Sequence, residues 1–330
     1  MKSLMQVLIL SFFIIITMSA GAQNIKLYES DWKKIDELIQ KKNLPKSALA
    51  EVKKLYIKVK AEKQDAQIIK ALVYMSSLQQ ENREENQKLA IKEIENELAV
   101  HKEPAASILK SLLASLYLQY FQQQRWQLYN RSATVNFAKE DVATWTTEDF
   151  HKKIGDLYLQ SIGQEKLLQA TSLEAYSAII NKGNVRHLRP TLYDLLAHQA
   201  LQYFQSSERT VKKPAYAFEL TDVKAFAPAA VFAAHRFKTD DSLSLEFKAL
   251  QIYQKLIGLH LKDARQDALI DVDIQRIQFV NGAATMGDKE AFYVAALNEI
   301  IARHKSRSAT AQAAYLVALY HEGFATQYHP

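Results

Sequence analysis

Apolar residues recur along most of this chain at the spacing of an α-helix. One stripe consists of Ile108, Leu109, Leu112, Leu113, Leu116, Tyr117 and Tyr120. A second stripe consists of Leu243, Phe247, Leu250, Tyr253, Ile257 and Leu261. Side chains three and four positions apart share one face of a helix, so each stripe predicts an amphipathic helix that packs against a neighbour.

Start and stop signals divide this pattern into separate helices. The prolines that stand where an apolar run begins are Pro45, Pro104, Pro190 and Pro228. Proline suits the first turn of a helix because the N–H group that it lacks has no helical partner there. Thr171 and Glu174 have capping-box spacing, and residues 181–183 (Asn-Lys-Gly) give a stop signal. We predict helices at 31–42, 46–62, 65–80, 84–101, 105–124, 147–161, 171–181, 190–206, 225–236, 243–261, 266–281, 288–304 and 308–322.

The helical pattern predicts an all-α fold, arranged as an irregular α-solenoid of stacked helical hairpins similar to tetratricopeptide arrays. Composition supports this class, because the 330 residues include only 8 Gly and 6 Pro. Together these make up far less than the roughly 12% of an average protein. Sheet architectures need frequent glycine-bearing turns, so a β-sandwich or a doubly wound sheet is disfavoured.

The first 22 residues have the pattern of a cleavable signal peptide. Lys2 precedes an apolar run from Val7 to Met18, and residues 20–22 (Ala-Gly-Ala) form the small-x-small cleavage pattern. The run is shorter than the roughly 20 residues that span a bilayer. We therefore expect an exported mature protein that begins near Gln23, resides in the periplasm or cell envelope, and has no transmembrane segment.

Two segments with little helical periodicity interrupt the array. Residues 130–146 are expected to be an irregular loop, and residues 206–227 an extended arm in which Tyr216, Phe218 and Leu220 alternate. The predicted organisation is a signal peptide at 1–22, helical hairpins at 23–129, the loop at 130–146, hairpins at 147–205, the arm at 206–227, and hairpins at 228–330. We expect the array to be incomplete at its C-terminus.

Charge and cysteine content narrow the possible functions. The chain has 42 Lys and Arg against 36 Asp and Glu, and basic and acidic residues alternate, as at residues 92–95. This pattern favours solvated helix faces and predicts no nucleic-acid binding. The absence of cysteine excludes disulfides, thiolate metal sites and cysteine nucleophiles within these residues, so stability must come from core packing.

Two motifs that contain acidic residues or histidine have spacings that could form a site. Asp194 and His198 lie four positions apart, with His187 nearby, and Asp271 and Asp273 flank a valine. A metal or acid–base centre needs further converging groups, so we favour structural roles for both motifs. The sequence has no Gly-rich phosphate loop, no G-x-S-x-G and no H-E-x-x-H. We predict no catalytic residues, no metal ligands and no cofactor; a hydrolase that uses the acidic pairs is the remaining alternative.

The densest unusual feature is a group of aromatic and arginine side chains near the predicted loop. The candidate interaction patch consists of Arg125, Trp126, Tyr129, Arg131 and Trp145. Exposed Trp, Tyr and Arg side chains are typical of protein-binding hot spots. The alternative, which we favour, is that Trp126 and Tyr129 hold the loop against the helices.

Four further segments resemble a known family. They are residues 125–131 (RWQLYNR), 188–198 (LRPTLYDLLAH), 214–220 (PAYAFEL) and 268–273 (ALIDVD), and the leader ending in 20–23 (AGAQ) is also similar. Together they resemble the helical N-terminal region of large bacterial alpha-2-macroglobulin-family proteins of the cell envelope.

The resemblance implies a protease-trapping protein, in which a cut bait segment triggers a conformational change and many members carry a thioester. No such residue is carried over, because the chain has no cysteine and no room for the family's β-domains. We expect an exported, non-enzymatic scaffold, linked to endopeptidase inhibition by resemblance alone, whose partners are other envelope proteins or the remainder of a larger chain. The chain itself would then be a truncated product or a gene fragment. The alternative is a free-standing periplasmic helical-repeat protein that binds a peptide or glycan.

Overall fold

The computed structural model describes residues 27–79, 84–128, 141–181, 183–206 and 215–325. Within these residues the chain forms thirteen α-helices and no β-strand, which confirms the predicted all-α class. The helices are α1 (Glu29–Gln40), α2 (Pro45–Ala61), α3 (Asp65–Gln79), α4 (Glu84–Leu98), α5 (Ala105–Leu128), α6 (Thr147–Ser161), α7 (Glu165–Ala170), α8 (Leu192–Phe204), α9 (Ala229–Ala234), α10 (Leu245–His260), α11 (Asp267–Ala283), α12 (Lys289–Arg303) and α13 (Ala311–Ala325). The predicted signal peptide lies outside the described residues.

Several helices begin at residues whose side chains satisfy free backbone amides. Helix α2 has proline at its first position, as the sequence predicted. Helices α6 and α8 each open with a complete capping box, formed by Thr146 with Asp149 and by Thr191 with Asp194. Each threonine hydroxyl accepts a hydrogen bond from the backbone amide of the third helical residue. Each aspartate carboxylate accepts a hydrogen bond from the backbone amide of the threonine.

Two predicted helices are wrong. Residues 171–181 form only a 3₁₀ turn at Leu173–Tyr176, capped by the hydroxyl of Ser172 rather than by the predicted Thr171 box. The predicted helix at 225–236 is divided into a 3₁₀ turn and the six-residue α9. The division lies at Ala227, whose extended backbone is the conformation that a following proline imposes. The short helix α7 was missed.

The described residues fall into two compact units. The first lies within Met1–Gln124 and Thr171–Lys182, and the second within Arg125–Ala170 and Gly183–Pro330. In the first unit, each of α1 to α3 packs against the next helix along the chain. Apolar residues that are at most 2% exposed, such as Ile35, form its core.

Hydrogen bonds from tyrosine to carboxylate link the helices of the first unit. Tyr56 on α2 donates to Glu97 on α4 at 2.6 Å, Tyr74 on α3 donates to Asp36 on α1 at 2.8 Å, and Tyr117 on α5 donates to Glu95 on α4 at 2.8 Å. Burial, followed by these bonds, raises the pKa of Tyr56 and Tyr74 to about 12. Each phenol is therefore held in its neutral, donating form.

In the second unit, α8 packs against α6, α7 and α10, and successive helices from α10 to α13 pack against one another. The described part of the predicted arm runs from 215 to 227. It contains an isolated parallel bridge between Leu220 and Ala284, closed by the Thr285 amide, which donates to the Leu220 carbonyl at 3.1 Å. This contact fixes the segment against the end of α11.

Candidate functional site

The described members of the predicted interaction patch lie at the surface or close to it. Trp126, in the last turn of α5, is 79% exposed. Trp145 is half-buried, and its ring is tilted against Phe150 with centroids 5.1 Å apart. Arg125 is also partly exposed, whereas Tyr129 and Arg131 lie outside the described residues. The patch as a whole therefore stays a prediction.

Asp194 and His198 do not share a ligand through their side chains. The Asp194 carboxylate is fully buried and accepts hydrogen bonds from the Thr191 amide at 2.9 Å and the Thr191 hydroxyl at 2.6 Å. The His198 Nδ1 atom instead lies 2.7 Å from the main-chain oxygen of Asp194, one helical turn earlier. His187 is exposed on a separate 3₁₀ turn. The sequence spacing thus reflects helix geometry rather than a shared site.

The true partner of Asp194 is His260, at the end of α10. The Nε2 atom of His260 lies 2.7 Å from Asp194 Oδ1, and its Nδ1 atom lies 2.7 Å from Asp263 Oδ2. The His260 side chain is 2% exposed and that of Asp194 is 0% exposed. Because carboxylates occupy both ring nitrogens, the imidazole has no nitrogen left to take a substrate proton or bind a metal. The cluster is an ionic link between α8 and α10.

Burial and pairing act in opposite directions on this cluster. Burial favours the neutral forms, but the hydrogen bonds that His260 donates to Asp194 and to Asp263 outweigh it and raise the pKa of His260. Burial likewise disfavours the Asp194 anion, yet the bonds from His260 and Thr191 lower the pKa of Asp194. Both shifts favour the charged forms of the pair, and the stability contributed by the His260 charge is lost as pH rises through its folded-state pKa.

The pKa of His198 is shifted in the opposite direction from that of His260. Burial, followed by the charge of Arg189, lowers its pKa from 6.5 to about 4. Its Nε2 atom is buried and has no hydrogen-bond partner among the described residues, which suits a neutral ring. In the unfolded chain this histidine takes up its proton near pH 6.5, whereas in the folded chain it does so near pH 4. Its neutral form therefore contributes stability above pH 6.5 that is lost as pH falls towards 4.

We expect His198→Asn to weaken the acid sensitivity of the protein. Asparagine retains a side-chain N–H that can donate to the Asp194 carbonyl, but it does not titrate. Between pH 6.5 and 4, the fall in unfolding free energy should be shallower by up to about 1.4 kcal/mol per pH unit. Urea denaturation at several pH values measures this slope. A variant with the same slope as the parent protein would show that His198 is not the responsible group.

The second acidic motif also divides into separate structural roles. Asp273 accepts hydrogen bonds from the guanidinium of Arg276, which also donates to the main-chain oxygen of Ala225. Arg276 is 0% exposed, and its guanidinium carbon lies 4.6 Å from the centroid of the Phe232 ring. Asp271 has a different partner, because its carboxylate accepts a hydrogen bond from the side-chain amide of Gln275 at 2.7 Å. The two carboxylates are not brought together.

Described residues of the second unit line two cavities of different size. The smaller, of about 290 Å³, is lined by Phe226, Pro228 and Phe292 and has the Asp273–Arg276 pair in its wall. The larger, of about 580 Å³, falls within the roughly 300–1,000 Å³ typical of small-molecule sites. Its lining residues are Gln205, Ser206, Glu246, Tyr253, Gln275, Gln278, Phe279, Gly282 and Ala283.

The larger cavity, here called the amide-lined cavity, was missed by the sequence analysis. A signal for it exists on α11, where Gln275, Gln278, Phe279 and Gly282 follow one another at helical face spacing. A stripe that mixes amides with an aromatic ring is unusual on a core-facing helix. Gly282 is a further sign, because a Cβ atom added there would meet nothing within 4 Å, so the wall is open at this point.

Helix α13 has an unusual surface. Residues 311–321 include no Asp, Glu, Lys or Arg, yet most of this stretch faces outward. Ala313 is fully buried, whereas Tyr315 is 58% exposed and Leu319 is 41% exposed. Ala311, Ala314 and Ala318 are also exposed. We call the surface formed by Ala311, Ala314, Tyr315, Ala318 and Leu319 the outer face of α13.

Across the described ranges, no three His, Cys, Asp or Glu side chains are grouped so that they could hold a metal ion. No described helix combines the length and apolarity needed to cross a bilayer. No family model, curated protein or solved structure matches the chain. The resemblance to alpha-2-macroglobulin-family proteins therefore stays a prediction that rests on the quoted segments.

Proposed function

We propose that this chain is a non-enzymatic helical scaffold that binds a helix of another polypeptide segment on the outer face of α13. The uncharged surface of that helix carries the proposal. A contiguous exposed apolar surface is typical of a face that another element covers, and in the described part of the chain α13 packs against α12 on its opposite side. Removing the exposed Tyr315 and Leu319 side chains from water would favour binding.

The chemistry of the outer face fits a helix as the occupant. Ala311, Ala314 and Ala318 follow one side of α13, and small side chains permit close approach of a second helix axis. Tyr315 and Leu319 project beside them as larger anchors. Such a contact would also continue the existing packing, since α11 packs on α12 and α12 on α13. On this proposal the helices form an irregular solenoid extended by the partner.

The family resemblance suggests where the occupant comes from. We propose that it is a helical hairpin of a larger macroglobulin-like envelope protein, for which this chain provides the N-terminal scaffold. The paired state of His260 supports a non-enzymatic role, because carboxylates contact both of its ring nitrogens. The predicted export signal supports a location in the periplasm or cell envelope.

Cysteine labelling tests this proposal directly, because the chain has no cysteine of its own. In Ala318→Cys the new thiol lies on the outer face. We expect it to react readily with a maleimide in the purified chain. In intact cell envelopes its reaction rate should be lower by about tenfold or more, because a covered thiol reacts only when its partner dissociates. Mass spectrometry of the labelled protein measures both rates.

The matched control is Ala230→Cys, which replaces an exposed alanine on α9. This thiol should react equally fast in both settings. Equal rates for Ala318→Cys would contradict the proposal. A purified chain that is dimeric and already protected at position 318 would also contradict it, because a second copy would then be the occupant.

A further inference from the structure

We propose that the amide-lined cavity is a binding site for a short, neutral oligosaccharide. The site is independent of the outer face of α13, and it is formed by three elements of the second unit. Gln205 lies at the end of α8, Tyr253 lies on α10, and Gln275 with Gln278 lies on α11. Polar groups therefore approach a ligand from several directions.

The polar lining matches the hydrogen-bonding capacity of sugar hydroxyl groups. A hydroxyl both donates and accepts, and a carboxamide offers one oxygen acceptor and two N–H donors side by side. Gln275 is held in place by its bond to Asp271 at 2.7 Å, and Gln205 by its bond to the Tyr253 hydroxyl. Each of these amides is thus oriented by its N–H group and retains an oxygen that can accept from a ligand.

The apolar lining matches the C–H faces of a sugar ring. Phe279 is partly exposed on α11, and its ring centroid lies 5.8 Å from that of Tyr253. Gly282 and Ala283 present little side chain next to it, which leaves space for a flat ring against the helix. Ligand sites commonly combine such apolar walls with a few placed polar groups.

Charge determines which ligands are disfavoured. Among the described lining residues, Glu246 is the only ionisable acid and no Lys, Arg or His is present. An anionic ligand such as a phosphate or a uronic acid would meet the Glu246 carboxylate. An extended peptide is also a poorer fit, because the amides converge on the cavity instead of following the edge of one strand.

Calorimetric titration of the purified full chain tests the site. The probes are the linear trisaccharides of glucose and of N-acetylglucosamine. We expect at least one of them to bind, and Gln278→Ala to weaken that binding about tenfold, as loss of roughly 1.4 kcal/mol of hydrogen bonding would do. Gln278 is exposed, so its truncation leaves the core unchanged. The matched control, Gln251→Ala, removes an exposed glutamine elsewhere on α10 and should bind like the parent protein.

Two further ligands give the remaining outcomes. A trigalacturonate should bind at least tenfold more weakly than the neutral sugars, because of the Glu246 carboxylate; equal binding would overturn the proposal. Failure of both neutral trisaccharides to bind at millimolar concentration would overturn it, as would preferential binding of tri-alanine. None of these results depends on α13, so they are distinguishable from the labelling result.

Discussion

Replacing Asp194 with alanine should lower the free energy of unfolding by roughly 3–5 kcal/mol. The substitution leaves the buried His260 with Asp263 as its remaining acid partner, and it removes the acceptor of the Thr191 amide in the capping box of α8. Denaturant unfolding followed by circular dichroism measures the difference.

Asp156→Ala provides the matched control for this change. Asp156 pairs with Lys152 at 3.1 Å, but their side chains are 51% and 66% exposed. Exposed pairs of this kind contribute only about 0.5 kcal/mol. If Asp194→Ala were as mild as Asp156→Ala, the buried cluster would not hold α8 to α10.

Replacing Arg276 with methionine should have an effect of similar size, again roughly 3–5 kcal/mol. Methionine fills much of the same space and can contact Phe232, but it leaves the buried Asp273 carboxylate without its cation. It also removes a donor from the main-chain oxygen of Ala225. The midpoint of urea unfolding should fall accordingly.

The double variant separates pairing from packing. Adding Asp273→Leu to Arg276→Met removes the isolated charge, so most of the lost stability should return. A double-mutant cycle measures this coupling. Additive losses in the double variant would mean that Arg276 stabilises the protein mainly through its contacts with Phe232 and Ala225.

The sequence was sufficient to predict the fold class, because an apolar stripe at helical spacing requires only local geometry and burial. Helix α6 begins and ends where the pattern predicted, at residues 147 and 161. The errors arose where local signals competed. At 171–181 the Ser172 hydroxyl stabilises a tight turn, and at 225–236 the restriction before Pro228 interrupts the helix.

Side-chain partners were much harder to predict than helices. Asp194 lies four positions from His198, which suggested a pair, yet it bonds to His260, 66 positions away. No local pattern encodes that distance, because it depends on how α8 packs against α10. The amide-lined cavity was missed for the same reason. Its stripe on α11 is visible in the sequence, but Gln205 and Tyr253 join it only in the folded unit.

The outer face of α13 has a consequence for the order of events during synthesis. If the proposed covering hairpin is part of the same polypeptide, it is synthesised soon after α13. The apolar outer face is then covered within the time that translation needs for a few dozen residues. If the hairpin belongs to a separate protein, the surface waits for a diffusive encounter, and unrelated apolar chains compete for it throughout that delay. Covalent continuity would therefore protect against misassembly without requiring tight intrinsic affinity.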